Sequence, residues 1–205
     1  MPGKTDKVIA CLKEINFKPK IDDFQTRIII QKTVYLLDKK GLNFGFPFGI
    51  FIHGPYSQSL TVEYYNNKAD FERLATKSSL TRKEKGMVDE FNQIFDMTFS
   101  LLEIAATYAY FIIDQSQDET AAIRNLKKIK PYFSETQVAL GISKAKEFLF
   151  EPSKEDIFEL KKELSAWQSA SQRNPGLWGP TIRPCCTAGI SLGRTLEDAV
   201  PRGNV

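Results

Sequence analysis

The chain has 205 residues, 42% of them hydrophobic, and a formal net charge of +3. This length supports one domain with a real core, and the small charge neither requires nor excludes a nucleic-acid partner. No apolar run approaches the roughly 20 residues that span a bilayer. Residues 1–15 lack the apolar segment of a signal peptide. We therefore expect a cytoplasmic protein without a membrane partner.

The composition changes near Ala166 and divides the chain into two unequal parts. Residues 1–165 hold twenty Lys and all fifteen Phe, whereas residues 166–205 hold no Lys, Phe or Tyr but four of the ten Pro. We expect residues 1–165 to form a single, mostly helical domain. Residues 166–205 fit either a disordered native extension or a non-native tail of frame-shifted or vector-like sequence. The adjacent Cys185 and Cys186 lack further ligands nearby, so no metal site is predicted there.

Apolar spacing predicts two helices at the start of the chain. The first covers residues 5–16 and the second residues 21–39. Phe24 belongs to the predicted buried face of the second helix. Asp22 or Asp23 lies near its start, where the helix dipole favours a carboxylate.

A short strand is predicted to follow. Gly41 is a natural terminator of the preceding helix, and the apolar run over residues 48–53 is typical of a strand. Gly54-Pro55 is expected to end the strand and reverse the chain. Ser57 is then placed to cap a helix over residues 58–67.

The rest of the chain is predicted to be helical. Thr81 and Glu84 have the spacing of a capping box, and Ser134 and Ser153 stand in N-cap positions. The run over 99–113 is apolar nearly all round, which predicts the central buried helix. The expected helices cover 82–96, 99–113, 119–130, 135–149 and a segment beginning at Ser153. The predicted fold is mainly α: a compact multi-helix domain with one or two short strands, which, if two, can pair as a small β-hairpin.

The single histidine, His53, lies in the stretch "FIHGPYSQSL". Catalysis by His53 requires a positioned nucleophile and an orienting partner, and the chain contains none of the familiar catalytic or phosphate-binding motifs. A metal site would need ligands from scattered carboxylates. Two further interpretations remain: a structural turn with local hydrogen bonds, and an exposed recognition surface in which His53 and Tyr56 act as anchors.

Residues 31–60 resemble a known family. The pattern comprises a helix with Gln31, Lys32 and Tyr35, then a strand that leads into the turn His53–Ser57, then a helix that opens with Ser59-Leu60. It resembles the YwgA-like proteins, a family of uncharacterised function, and more distantly the SocA-like Panacea antitoxin domain. The resemblance covers about residues 6–150. It implies a compact helical domain and, from the Panacea side, an antitoxin or adaptor that binds a toxin-like or regulatory protein.

We therefore expect a non-enzymatic protein-binding module, antitoxin-like or a regulatory adaptor, which uses no cofactor and no metal. The residues that carry the pattern form the predicted partner-binding surface: Lys32, Tyr35, His53, Pro55, Tyr56 and Ser57.

Nucleic-acid binding is the alternative function, through a winged-helix-like regulator. Basic residues cluster on the predicted helix 119–130, and phosphate binding needs such a patch on one face. The candidate residues are Arg124, Lys127, Lys128 and Lys130. A solvated helix face is the structural alternative for the same residues.

Two polar residues stand out on apolar helices, Gln31 and Glu103. A buried carboxylate needs a partner or a raised pKa. We expect Lys32 or Tyr35 to supply a hydrogen bond to Glu103, and a small pocket for a ligand or partner is the alternative.

Overall fold

A computed structural model describes residues 3–150, together with residues 158, 161 and 162. The chain divides into two compact units, Met1–Glu151 and Pro152–Val205, and the first is described below. The predicted boundary at residues 165 and 166, the helix from Ser153 and the tail over 166–205 fall outside the described residues and stay predictions.

The first unit is mainly helical with one two-stranded antiparallel sheet, which confirms the predicted fold class. The helices that end at Leu37 and Ala109 each continue into one wider turn, Asp38–Leu42 and Tyr110–Asp114, and the first of these turns leaves the helical conformation at Gly41. In chain order the elements are α1 (Lys4–Glu14), α2 (Phe24–Leu37), β1 (Gly49–Phe51), β2 (Gly54–Tyr56), α3 (Gln58–Asn66), α4 (Lys68–Arg73), α5 (Arg82–Ile94), α6 (Phe99–Ala109), α7 (Glu119–Ile129) and α8 (Glu135–Leu149).

Side-chain caps set the starts of several helices, because free backbone N–H groups of the first turn need acceptors. Asp23 Oδ2 accepts from Thr26 N at 2.7 Å and starts α2. The predicted capping box at the start of α5 is confirmed: Thr81 Oγ1 accepts from Glu84 N, and Thr81 N donates to Glu84 Oε2. Capping by Ser134 is also confirmed, at the start of α8.

Helix α6 lies at the centre of the unit and contacts α2, α7, α8 and β2. Its residues 102–109 are all buried, which confirms the predicted central helix. Gly141 of α8 allows the closest approach, because a Cβ at that position would lie 2.4 Å from Ile104 of α6. The core therefore forms around α6, and the small sheet packs on the same helix.

Three features differ from the sequence-based expectation. Helix α4 was not predicted, since six residues are too few to show a clear period. The second helix begins at Phe24 and not at residue 21, because Asp23 is its cap. Phe24 was predicted to be buried and is instead exposed, since it lies in the first turn of α2, beyond the part of the helix that the core covers.

Candidate functional site

Strands β1 and β2 form a β-hairpin over residues 49–56, and the chain reverses at Ile52 and His53. Strands β1 and β2 are antiparallel, with Gly49 opposite Tyr56 and Phe51 opposite Gly54. The prediction that Gly54-Pro55 ends the strand was wrong, because both residues belong to β2. Gly54 has φ +84°, a conformation that glycine adopts without a steric penalty, so the chain can return along β1.

Gly54 also seats the hairpin directly on α6. A Cβ at Gly54 would lie 2.2 Å from Thr107 Oγ1 and 3.7 Å from the Glu103 carbonyl oxygen. Thr107 is fully buried, and its hydroxyl donates to that carbonyl at 2.7 Å. No larger residue fits between the two backbones, so glycine is required by space as well as by conformation.

Helix α2 holds β2 and the start of α3 through two buried polar side chains. Lys32 Nζ donates to the Pro55 carbonyl oxygen at 2.6 Å. Gln31 pairs with the backbone of Ser57 in both directions: its Nε2 donates to Ser57 O at 3.0 Å, and its Oε1 accepts from Ser57 N at 2.9 Å. Ser57 caps α3 as predicted, by accepting from Leu60 N. The two parts of the sequence pattern thus contact each other.

A buried ion pair lies beneath the turn of the hairpin. Glu103 Oε1 accepts from Lys130 Nζ, accepts from Tyr132 Oη at 3.0 Å and lies 3.2 Å from His53 Nδ1. Lys130 Nζ also donates to the Ile52 carbonyl oxygen at 2.5 Å. Glu103 Oε2 makes no hydrogen bond within the part of the chain that the structure describes. The turn is therefore tied to α6 and to the end of α7 by one charged cluster.

The predicted partner of Glu103 was wrong. Lys32 donates to Pro55 and not to Glu103, and the Tyr35 hydroxyl donates to Asp114 Oδ2 at 2.5 Å. Lys130 takes the place of both, although it is 27 residues away from Glu103 along the chain. No local sequence signal marks that contact, because it depends on how α6 and α7 pack.

Burial changes the titration of the two lysines. It lowers the pKa of Lys32 to about 7, and the nearby charge of Lys130 adds to this effect, whereas that of Glu103 opposes it. Burial also lowers the pKa of Lys130, whereas the hydrogen bond that Lys130 donates to Glu103 and the charge of Glu103 act to raise it. The pKa of Tyr132 is raised by burial and by Glu103. A single buried carboxylate therefore pairs with one buried lysine and lies close enough to a second to influence its pKa.

The hairpin contains no nucleophile–base pair among the described residues. His53 contacts Glu103, whereas the Ser57 hydroxyl contacts the Ser59 hydroxyl at 3.0 Å and accepts from Leu60 N. The arrangement can hold a backbone segment in place, and it does not activate a hydroxyl. No group of three His, Cys, Asp or Glu within the described ranges is close enough to hold a metal ion.

Above this polar cluster, exposed apolar side chains surround a cavity of about 330 Å³ between α2, the hairpin and α3. Four of its lining residues are at least half exposed: Ile52 (78%), Phe51 (59%), Phe24 (51%) and Tyr65 (50%). We call these four residues and the cavity between them the hairpin face. Two pairs of rings around the cavity are in contact: the centroids of Phe24 and His53 are 5.3 Å apart, and those of Phe51 and Tyr56 are 5.1 Å apart.

The predicted partner-binding residues lie together around the hairpin, except for Tyr35, whose hydroxyl points to Asp114. Lys32, Tyr35, Pro55 and Ser57 are buried and are not accessible to a partner in this conformation. Direct contact is open only to the half-buried His53 and Tyr56, and their binding of a partner stays a prediction. The sequence pattern therefore marks mainly the support of the hairpin. Phe24, Phe51, Ile52 and Tyr65 were missed because apolar residues are normally predicted to be buried.

The predicted basic patch does not form as a whole. Lys130 is buried and pairs with Glu103, and Lys127 pairs with Glu135 at 2.9 Å. Arg124 and Lys128 are exposed on α7. Two of the four predicted cations are thus engaged by carboxylates, and nucleic-acid binding stays a prediction without support from this geometry.

No known protein-family model, curated protein or solved structure matches this chain. Within the described residues, no single helix is long and apolar enough to cross a membrane. One bent pair, Arg82–Ile94 with Phe99–Asp114, reaches that length and composition only jointly, across a bend of 119°.

Proposed function

We propose that this protein is a non-enzymatic protein-binding module, antitoxin-like or a regulatory adaptor, and that it contacts its partner through the hairpin face. One observation carries the proposal: four large apolar side chains are exposed around a single cavity. Scattered exposed apolar residues are normal, but a contiguous patch around a concave surface is typical of an interaction site. The antitoxin-like role rests on the family resemblance, and the cytoplasmic location remains a prediction.

The support beneath the hairpin favours binding. Three buried side chains donate hydrogen bonds to backbone carbonyl oxygens here. Lys130 donates to Ile52 in the turn, Lys32 to Pro55 in β2, and Gln31 to Ser57 directly after β2. A surface that is already fixed loses little conformational entropy when a partner docks. The hairpin face therefore presents its aromatic anchors in a preorganised arrangement.

The test compares capture of partners by the full chain and by a surface variant. The tagged wild-type protein and the double variant Phe51→Ser/Ile52→Ser are expressed in the native host and purified both with and without nuclease treatment. We expect a stoichiometric protein to accompany the wild type and to be reduced at least about tenfold with the double variant, because anchor residues dominate interface energy. Quantitative mass spectrometry measures the ratio.

Leu140→Ser provides a matched control. Leu140 is also about half exposed (51%) but lies on α8 and does not line the cavity, so its variant is expected to retain the partner. Equal capture by the wild type and the double variant would contradict the proposal. Material that is lost on nuclease treatment would instead support the nucleic-acid alternative.

A further inference from the structure

The wall of the hairpin-face cavity contains the guanidinium of Arg27, which is always protonated, and the described part of the chain contributes no carboxylate to it. Most of the remaining lining residues are aromatic or aliphatic. A cavity of about 330 Å³ is at the lower end of ligand pockets, which occupy roughly 300–1,000 Å³. Its size suits one or two side chains of a peptide segment, and its charge suits a segment that carries an anion.

Arg27 is oriented for such an anion. Its Nη1 donates to the carbonyl oxygens of Ile21 and Asp22, both at 2.8 Å, and its guanidinium lies over the rings of Phe24 (5.7 Å) and Tyr65 (6.0 Å). Among the described residues, Nε and Nη2 make no hydrogen bond, and no ion pair includes Arg27. The other edge of a held, planar guanidinium is thus open for a bidentate carboxylate.

The neighbouring carboxylates do not satisfy Arg27. Asp23 accepts from Thr26 N as the cap of α2, and Asp22 pairs with Lys68 at 2.5 Å. Lys32, deeper in the wall, donates to Pro55, and the closest buried carboxylate, Glu103, is held by Lys130. The charge of Arg27 is therefore offset only in part, by the nearby carboxylate of Asp23.

A larger cavity, between α7 and α8, lacks this selectivity. It has a volume of about 530 Å³ and is lined by Lys127, Lys146 and Glu135 among others. Lys127 pairs with Glu135, and Lys146 pairs with Glu119, so charges of both signs meet there. Nothing in that cavity distinguishes one class of occupant.

We propose that the hairpin-face cavity binds a linear segment of a partner protein that carries an apolar side chain next to an acidic residue. The apolar side chain occupies the aromatic cavity, and the adjacent carboxylate accepts two hydrogen bonds from Nε and Nη2 of Arg27. This inference rests on the proposed function, because it specifies which kind of partner segment the hairpin face recognises.

The test is a peptide titration of the full chain with ¹³C-labelled isoleucine methyl groups, observed by NMR. Ile28 and Ile52 both line the cavity and report on its occupation. The probes are three capped pentapeptides in which a central tryptophan is flanked by two glutamates, two glutamines or two lysines. We expect the glutamate peptide to shift both methyl signals and to bind at least about fivefold more tightly than the glutamine peptide, since charge-assisted bidentate pairs are stronger than neutral ones.

Variants assign the preference to Arg27. Arg27→Met is expected to abolish the advantage of the glutamate peptide, while Arg27→Lys, which keeps the charge without the planar edge, retains a smaller one. Arg73→Met is the matched control: Arg73 is exposed on α4 and does not line the cavity, so this variant keeps the full advantage. Thermal unfolding of each variant establishes that it remains folded.

Three results would overturn the inference: equal affinity for the glutamate and glutamine peptides, an advantage that survives Arg27→Met, or no response of the Ile28 and Ile52 methyl groups to any peptide. The proposed function is tested separately, by the capture experiment with the Phe51→Ser/Ile52→Ser variant. If capture of a partner requires Phe51 and Ile52 but is unchanged in Arg27→Met, the hairpin face binds a partner of another chemistry. If neither change affects capture, both proposals are wrong.

Discussion

The two strands of the hairpin have the same length and opposite environments. In β2, Gly54 and Pro55 are buried, and Gly54 fits against Thr107 of α6. In β1, Ile50 and Phe51 are exposed although both are strongly apolar. Apolar side chains thus lie outside, whereas the polar groups Lys32, Glu103 and Lys130 lie underneath. This inverts the usual distribution and is the arrangement on which the proposed binding surface depends.

The buried polar cluster of Lys32, Glu103 and Lys130 adds little to the net stability of the fold. Removing lysine and glutamate side chains from water costs free energy that their mutual attraction only partly offsets. Each lysine does donate to a specific backbone carbonyl of the hairpin, however: Lys32 to that of Pro55 and Lys130, besides its bond to Glu103, to that of Ile52. The cluster therefore fixes where the hairpin lies, which an apolar core of similar volume does less specifically.

The largest effect is expected from Lys130→Met, which removes the cation of the buried cluster beneath the hairpin. Both Lys130 and Glu103 are fully buried, so the variant leaves the Glu103 carboxylate without its cation. We expect the free energy of unfolding to fall by about 3–5 kcal/mol, measured by urea denaturation. Replacing both partners, as in Glu103→Leu/Lys130→Met, is expected to recover most of this loss, because no charge is then left unpaired.

Lys127→Met is the control for that experiment, since the Lys127–Glu135 pair lies at the surface and exposed pairs contribute little. If Lys130→Met were as harmless as Lys127→Met, the buried cluster would not hold the hairpin. The close contact between Gly54 and Thr107 would then be what holds the hairpin on α6.

A smaller effect is expected from pH, through Lys32. Its pKa is about 7 in the folded protein and near the usual 10.5 in the unfolded chain. Between pH 7 and 9 the unfolded chain therefore holds a proton that the folded protein lacks, and the free energy of unfolding rises with pH. The contribution of this one group is at most about 1.4 kcal/mol per pH unit. Below pH 7 both states are protonated and the contribution levels off.

Denaturation curves at several pH values measure this slope. Lys32→Met is expected to reduce it, and Lys128→Met, at an exposed position of α7, is expected to leave it unchanged. Part of the slope remains in Lys32→Met, because burial lowers the pKa of Lys130 as well. The window ends near pH 9 because of Cys11. Its pKa is raised to about 12 in the folded protein, so the thiol stays protonated there, whereas the thiol of the unfolded chain, with its ordinary pKa of 9.0, begins to lose its proton. This lowers the free energy of unfolding as the pH rises further. Parallel profiles for the wild type and Lys32→Met would show that Lys32 stays protonated in the fold.

The sequence predicts the parts of this arrangement that depend on neighbours in the chain. Caps such as Thr81 with Glu84 act over three residues, and the burial of α6 follows from its own composition. The partner of Glu103 was out of reach, because Lys130 lies on another helix. The turn at Ile52 and His53 was misplaced by two residues, because Gly-Pro is normally a breaker and here continues a strand.

The candidate surface was missed for a related reason. Hydrophobic periodicity assigns a face to each helix, but it does not show whether another element covers that face. Phe24 belongs to the apolar pattern of α2 and still remains about half exposed, next to His53 and Arg27. Only the position of the hairpin, which long-range contacts determine, leaves that end of the helix uncovered.

The smallest effect is expected on the exposed side, from Ile52→Ser. Ile52 is 78% exposed, and its only described hydrogen bond outside the sheet uses its carbonyl oxygen, which the substitution retains. The free energy of unfolding is therefore expected to change by no more than about 0.5 kcal/mol, as measured by the same urea denaturation. A loss comparable to that of Lys130→Met would mean that the side chain stabilises the fold. A near-zero change means that a large apolar side chain lies at the turn of the hairpin without stabilising the domain, which is what the proposed contact with a partner requires.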